Sequence, residues 1–120
     1  MTNQKVLAEV LSLTRIYARH GRFDLARKLL RELIEGQLRA PAPDNHSLAV
    51  AYYNLGEVYS DQGNYLVASD LHKQSVEYWD LPHSKEPGSL LYYANALAEI
   101  DQETDKLIHQ VNEGEERNIA

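Results

Sequence analysis

A shift of 42 residues lays this chain on itself, and that constrains its fold more than any other feature. Under the shift Leu13 falls on Leu55, Tyr17 on Tyr59, Gly21 on Gly63 and Ala26 on Ala68. A second shift of 42 places Leu97 on Leu55, Ala98 on Gly56 and Glu99 on Glu57. Pro41 and Pro43 precede one copy as Pro82 and Pro87 precede the next. Coincidences in register at turn glycines and small residues mark a repeat array, in which each unit buries its apolar face on its neighbour.

Within a copy the pattern is helical. Tyr52, Leu55, Gly56 and Tyr59 stand at i, i+3, i+4 and i+7, one stripe of an α-helix, and Gly63 and Asn64 then break the run. Val6, Leu7, Val10, Leu11, Leu13, Thr14, Tyr17 and Ala18 predict a first helix from Asn3 to His20, stopped by Gly21. Asp24 opens a second, through Leu25, Ala26, Leu29, Leu30, Leu33 and Ile34. RAPAPDN, residues 39–45, is a loop, and Asp44, Asn45 or Ser47 can cap the third helix. A fourth runs from Tyr65 to Trp79 and a second proline loop spans Leu81 to Pro87.

Tyr52, Leu55, Gly56, Tyr59, Ala68 and Ser75 have the spacing of a tetratricopeptide repeat, a helical hairpin of about 34 residues, and the first copy keeps Val10, Leu13, Thr14, Tyr17, Ala26 and Leu33. The chain therefore resembles that family over residues 7–82. Its 42-residue period, with a proline-containing loop, resembles the variant found in kinesin light chains and many bacterial proteins. The third copy departs from the pattern, with Asp101, Asp105 and Gln110 at its tyrosine, glycine and small-residue places. Leu90, Ala94, Leu97, Ile100, Thr104, Leu107, Ile108 and Val111 still form an unbroken stripe, as a solenoid-capping helix would. The fold expected is all-α: an α-solenoid of two hairpins (3–38 and 46–80) and a capping helix (89–112), about five helices in a right-handed superhelical stack. Residues 1–112 read as one domain and 113–120 as a flexible charged tail. Leu13, Leu30, Leu55 and Leu71 are the expected core leucines, each contributing a few kcal/mol.

What the resemblance implies for function is protein binding in the concave groove lined by the first helix of each hairpin. By register that groove holds Leu11, Ser12, Arg15 and Arg19, then Val50, Tyr53, Asn54, Glu57 and Asp61, then Tyr92, Asn95, Glu99 and Glu103. An Asn amide both donates and accepts, and a Tyr supplies contact area at low entropic cost. Together these suit a peptide segment with its acidic end at Arg15 and its basic end at Glu99, and the alternative is that Tyr53 and Tyr92 pack on each other. The carboxylate clamp known in this family needs Lys, Asn and Arg where this chain has Leu11, Arg15, Tyr53 and Glu57, so a clamp of that kind is not expected.

Charge adds a second function class. Residues 1–40 carry eight Lys/Arg and four Asp/Glu (+4), and residues 41–120 carry four and fourteen (−10), for a net −6. The acidic part would repel phosphates, so nucleic acid is not an expected partner. The asymmetry suits self-assembly, with Arg22, Arg27, Lys28 and Arg31 facing Glu99, Asp101, Glu103 or Asp105 of another copy and an apolar edge at Val6 and Leu7. It equally suits a solvated set of helix faces.

Catalysis finds no foothold. The chain has no Cys, and His20, His46, His72, His83 and His109 lack metal-ligand spacing; His46 and His83 read as loop residues and His72 as a satisfied, partly buried one. Phosphate-cradling and nucleophile-elbow motifs are missing from the sequence. Glu99, Asp101, Glu103 and Asp105 read as a solvated charge run. No enzyme, metal or cofactor is expected, and neither a signal peptide nor a membrane span, so a cytoplasmic adaptor, chaperone-like module or peptide-sensing regulatory subunit is the expectation.

Overall fold

The computed structural model describes residues 3–80 and 89–119, with side chains over 5–80 and 94–114. Five helices follow one another: α1 (Asn3–Arg19), α2 (Phe23–Arg39), α3 (Asn45–Asp61), α4 (Tyr65–Asp80) and α5 (Ser89–Ile119). The described residues contain no strand. The loop expected over Leu81 to Pro87, with His83, lies outside the described residues. Each helix packs on the next in the chain, and α3 also meets α1 and α5, as in an all-α solenoid of stacked hairpins.

The two hairpin turns are built alike. Gly21 and Gly63 take φ of +75° and +77°, a left-handed conformation that a side chain would strain. In the first turn Arg22 N donates to Tyr17 O and Gly21 N to Ala18 O; in the second, Asn64 N donates to Tyr59 O and Gly63 N to Ser60 O. Both bonds satisfy carbonyls that a helix end leaves open. Asp44 caps α3, its Oδ1 accepting from His46 N at 3.1 Å and Ser47 N at 3.4 Å while Oδ2 accepts from Ser47 Oγ at 2.8 Å. His46, expected in a loop, therefore belongs to the first turn of α3, half-buried with its ring edge-on to Trp79 at 5.3 Å.

The core lies between α2, α3 and α4. Ala26, Leu30 and Ile34 of α2 meet Leu48, Ala51, Leu55 and Val58 of α3, with Leu71 of α4 beneath them. A second cluster, Leu7, Ala49, Val50 and Trp79, ties α1 to the ends of α3 and α4. Ser75 Oγ donates to Ala49 O at 2.7 Å across the α3–α4 contact.

Several expected positions differ. Leu13, assigned to the core, is 45% exposed, because the place its repeat-mate Leu55 finds against α2 has no counterpart on the outward side of α1. Leu7, expected at an apolar edge, is buried beside Trp79, and Val50, expected in the groove, joins the same cluster. Leu11 is half-buried against both clusters rather than groove-lining. The third unit is one helix, and it continues past Asn112 to Ile119. Its rotation departs from the 42-residue register: Leu97 and Ala98 are exposed, while Ala96 and Glu103 are buried, with Glu99, Ile100 and Leu107 half-buried between and beyond them.

Candidate functional site

Where α5 turns its inner face to α4 and α3 there is an ionic contact. His72 lies on the face of α4 that meets both α3 and α5, and its ring is fully buried. Its Nδ1 stands 2.5 Å from Glu103 Oε1 of α5, and both side chains are completely shielded from solvent. Its Nε2 lies 3.3 Å from Glu57 Oε1 and 3.2 Å from Tyr53 O, both on α3. Gly56 makes room for the ring, since a Cβ there would come within 2.5 Å of His72 Nε2. One imidazole therefore joins three helices.

Both ring nitrogens face oxygen acceptors, so the arrangement needs a proton at each contact. Either His72 is an imidazolium against a Glu103 carboxylate, or Glu103 keeps its proton and donates to Nδ1. Burial pushes Glu103 up to about 7, against the opposing charge and hydrogen bond of His72. Burial also resists charging His72, but the hydrogen bond to Glu57 and the charges of Glu103 and Glu57 outweigh it and hold the ring above its ordinary pKa. Both shifts favour keeping the proton.

This buried cluster underlies a more open carboxylate group. Burial and the charge of Glu57 raise Asp61, and burial with the charges of Glu57 and Asp61 raises Glu99, while Lys106 pulls against both. Glu57, Asp61 and Glu99 thus converge from α3 and α5 closely enough to repel one another. Lys106 is partly engaged, with its ammonium 4.9 Å from the centre of the Tyr65 ring.

The groove expected from the sequence is only partly assembled. Tyr53, Glu57, Asp61 and Glu99 lie around this cluster, with the Tyr53 ring half-buried 5.2 Å from His72. Asn54 Nδ2 is turned to its own helix and donates to Val50 O at 2.8 Å. Asn95 is exposed on α5, while the side chain of Tyr92 lies outside the described residues. Arg15 and Arg19 are exposed on α1, and among the described residues no ion pair links them to the carboxylates. Glu103, expected in the groove and in a solvated charge run, is instead the buried partner of His72. The only hint of that in the sequence was a histidine at a position this repeat normally fills with an apolar residue.

The arginines assigned to self-assembly are also engaged within the chain. Arg22 pairs with Asp24 at 3.4 Å, Arg27 donates to Gln62, and Arg31 donates to Tyr59 OH. The Tyr59 ring carries both guanidinium groups on its face, at 5.5 and 5.7 Å. These contacts seal α2 against the end of α3.

Among the described residues no group of His, Cys, Asp or Glu has the arrangement of a metal site, and no helix is long and apolar enough to cross a membrane. No curated protein and no solved structure matches the sequence. The family model described as tetratricopeptide repeat matches residues 7–80, which span α1 to α4. With the match covering more than half of the sequence and the hairpins packed as that repeat requires, the chain belongs to the tetratricopeptide repeat family.

Proposed function

We infer that this chain is a non-catalytic protein-interaction module that holds a segment of a partner protein along α3 and α5, with a basic residue of that segment placed among Glu57, Asp61 and Glu99. The carboxylate convergence carries this reading. Burial and the neighbouring charge of Glu57 raise both Asp61 and Glu99, and an incoming ammonium or guanidinium would relieve that repulsion. Tyr53 supplies a half-buried aromatic wall on α3 and Asn95 an exposed amide on α5. Arg15 and Arg19 stand on α1 for an acidic end of the same segment. The family's general use in binding proteins, the period of 42 and the absence of catalytic motifs in the sequence support a cytoplasmic adaptor or chaperone-like role, of the kinesin light chain-type repeat variant.

Selection of displayed random peptides on the immobilised protein tests the reading. Wild-type protein should enrich Lys- or Arg-containing segments, and the double variant Asp61→Asn with Glu99→Gln should lose them at unchanged helical content by circular dichroism. The same peptides recovered on both proteins, or a wild-type set without basic residues, would sink it.

A further inference from the structure

The two ends of the stack are apolar where a solenoid cap should be polar. On α1, Leu13 and Ile16 are 45% and 50% exposed; on α5, Leu97, Ile108 and Val111 are 43%, 54% and 58% exposed. Leu97, Ile108 and Val111 share one exposed stripe with Thr104, bordered by Asp101 and adjoining the face that buries Ala96 and Glu103. Helix α1 packs on α2 and α3 and helix α5 on α4 and α3, so among the described helices nothing covers either outward face.

The internal repeat shows what each face lacks. Leu55, the mate of Leu13, is 3% exposed because the preceding α2 presents Ala26, Leu30 and Ile34 to it. Leu13 stands at the same place in its repeat, and none of the described helices lies against its outward side. The stripe on α5 is the other half, an apolar helix face that none of the described helices covers. Their charges also match, since Arg15 and Arg19 are exposed on α1 while Asp101 and Asp105 flank the apolar stripe on α5. Glu9 on the α1 side and Lys106 on the α5 side soften this contrast without reversing it.

We propose that a second copy of this chain docks head to tail, its Leu13 and Ile16 seated on the Leu97–Ile108–Val111 stripe and its Arg15 and Arg19 beside Asp101 and Asp105. The contact is heterologous, one face against a different face, so it leaves a free head and a free tail on every assembly and propagates rather than closing at two. It differs from the pairing suggested by charge alone, because Arg22, Arg27 and Arg31 are held within their own chain and Glu103 is buried. It uses none of Glu57, Asp61 and Glu99, and shares only Arg15 and Arg19 with the proposed peptide site.

Sedimentation velocity on the full chain and two blocked variants tests it. Leu13→Asp with Ile16→Asp blocks the head, and Ile108→Asp with Val111→Asp blocks the tail. Wild-type mass should rise with concentration beyond a dimer, and each blocked variant alone should stay monomeric, its self-association weakened at least about tenfold. Mixed in equal amounts, the two variants should form a dimer that grows no further, because one intact head meets one intact tail. A wild-type protein monomeric at every concentration overturns the proposal. So does a tail-blocked variant that still dimerises, which would show head-to-head pairing, or a mixture that stays monomeric. If an Asp pair unfolds the chain, charge reversal gives the second reading: Asp101→Arg with Asp105→Arg should abolish assembly, and mixing it with Arg15→Glu plus Arg19→Glu should restore a contact. Failure to restore it counts against the assigned pairing.

Discussion

Between the first and second hairpins, Leu30 of α2 is fully buried among Ala26, Ile34, Leu55 and Val58. A step of 42 residues reaches His72 of α4, equally buried, but set between Glu57, Glu103 and the carbonyl of Tyr53. By the same step Thr14 corresponds to Gly56, and the loss of a side chain there is what admits the larger, polar ring. The two junctions hold the same place in the stack by different physics. An apolar junction is non-directional, and its contribution grows with the area removed from water. An ionic junction has a desolvation cost and must be satisfied at one place, so it yields less stability while allowing one rotation of the helix that carries the partner. Neither carboxyl oxygen of Glu103 has a hydrogen bond among the described residues, leaving the ionic contact with His72 as the support of that carboxyl group.

Exchanging the chemistry of the two junctions should show how far each depends on its surroundings. Leu30→His would place a polar ring where no acceptor waits and lose apolar contacts as well. We expect a loss of about 4 kcal/mol by urea denaturation. A loss below about 1 kcal/mol would mean that the first junction tolerates polarity as the second does.

The reverse change, His72→Leu, should cost about 3 kcal/mol, because it strands Glu103 as a buried carboxyl group without its partner. Adding Glu103→Leu should recover that loss and can exceed wild-type stability, since well-packed apolar residues often match or improve on a buried ion pair. The double variant would give the α4–α5 junction the chemistry of α2–α3. Losses that simply add would separate His72 from Glu103 energetically and break the comparison. Gly56→Ala comes next, at about 2 kcal/mol, because its new Cβ must displace the His72 ring from within 2.5 Å. A neutral effect would show that the ring has room to move.

The same contrast explains what could be read in advance. The first four helices were legible because periodic apolar stripes, positive-φ glycines at Gly21 and Gly63 and a cap at Asp44 are local signals. The matched α1–α4 hairpins follow from them. Helix α5 was legible as a helix from Ser89, but neither in its full length nor in its rotation. Three of its apolar residues, Leu97, Ile108 and Val111, face outward, and the face that turns inward carries a contact between residues 72 and 103, far apart in sequence. A carboxylate among several reads as solvent-facing unless its partner is known. The groove suffered the same way: Asn54 and Val50 share a register with Glu57, but a side chain's return to its own backbone and the packing around Trp79 carry no sequence period. Likewise, Arg27 and Arg31 read as free cations until α3 brings Tyr59 beneath them.

The smallest effect expected is a pH dependence that only the second junction can supply. Around His72 stand Glu57 and the Tyr53 carbonyl from α3 and Glu103 from α5, with Asp61, Glu99 and Lys106 at the edge of the cluster. The folded chain holds Glu103 at about 7, against 4.5 when free, and His72 above its free value of 6.5. A raised pKa means that the folded state binds the proton more tightly, so this stabilisation is fully present below the free value and fades as pH rises through the folded one. For Glu103 the loss runs from 4.5 to about 7, and for His72 it begins near 6.5 and continues upward. The stability of the wild type to urea should therefore fall as pH rises from 4.5 through about 7 and beyond, by an amount on the order of 1 kcal/mol, since the two groups share one contact and their shifts do not add. The His72→Leu, Glu103→Leu double variant should be much flatter over that range, because Leu30 shows that an apolar residue in this position brings no proton with it. A double variant that keeps the full wild-type slope would place the titrating groups elsewhere. A wild type that gains stability as pH rises would reverse the sign on which the ionic junction is argued.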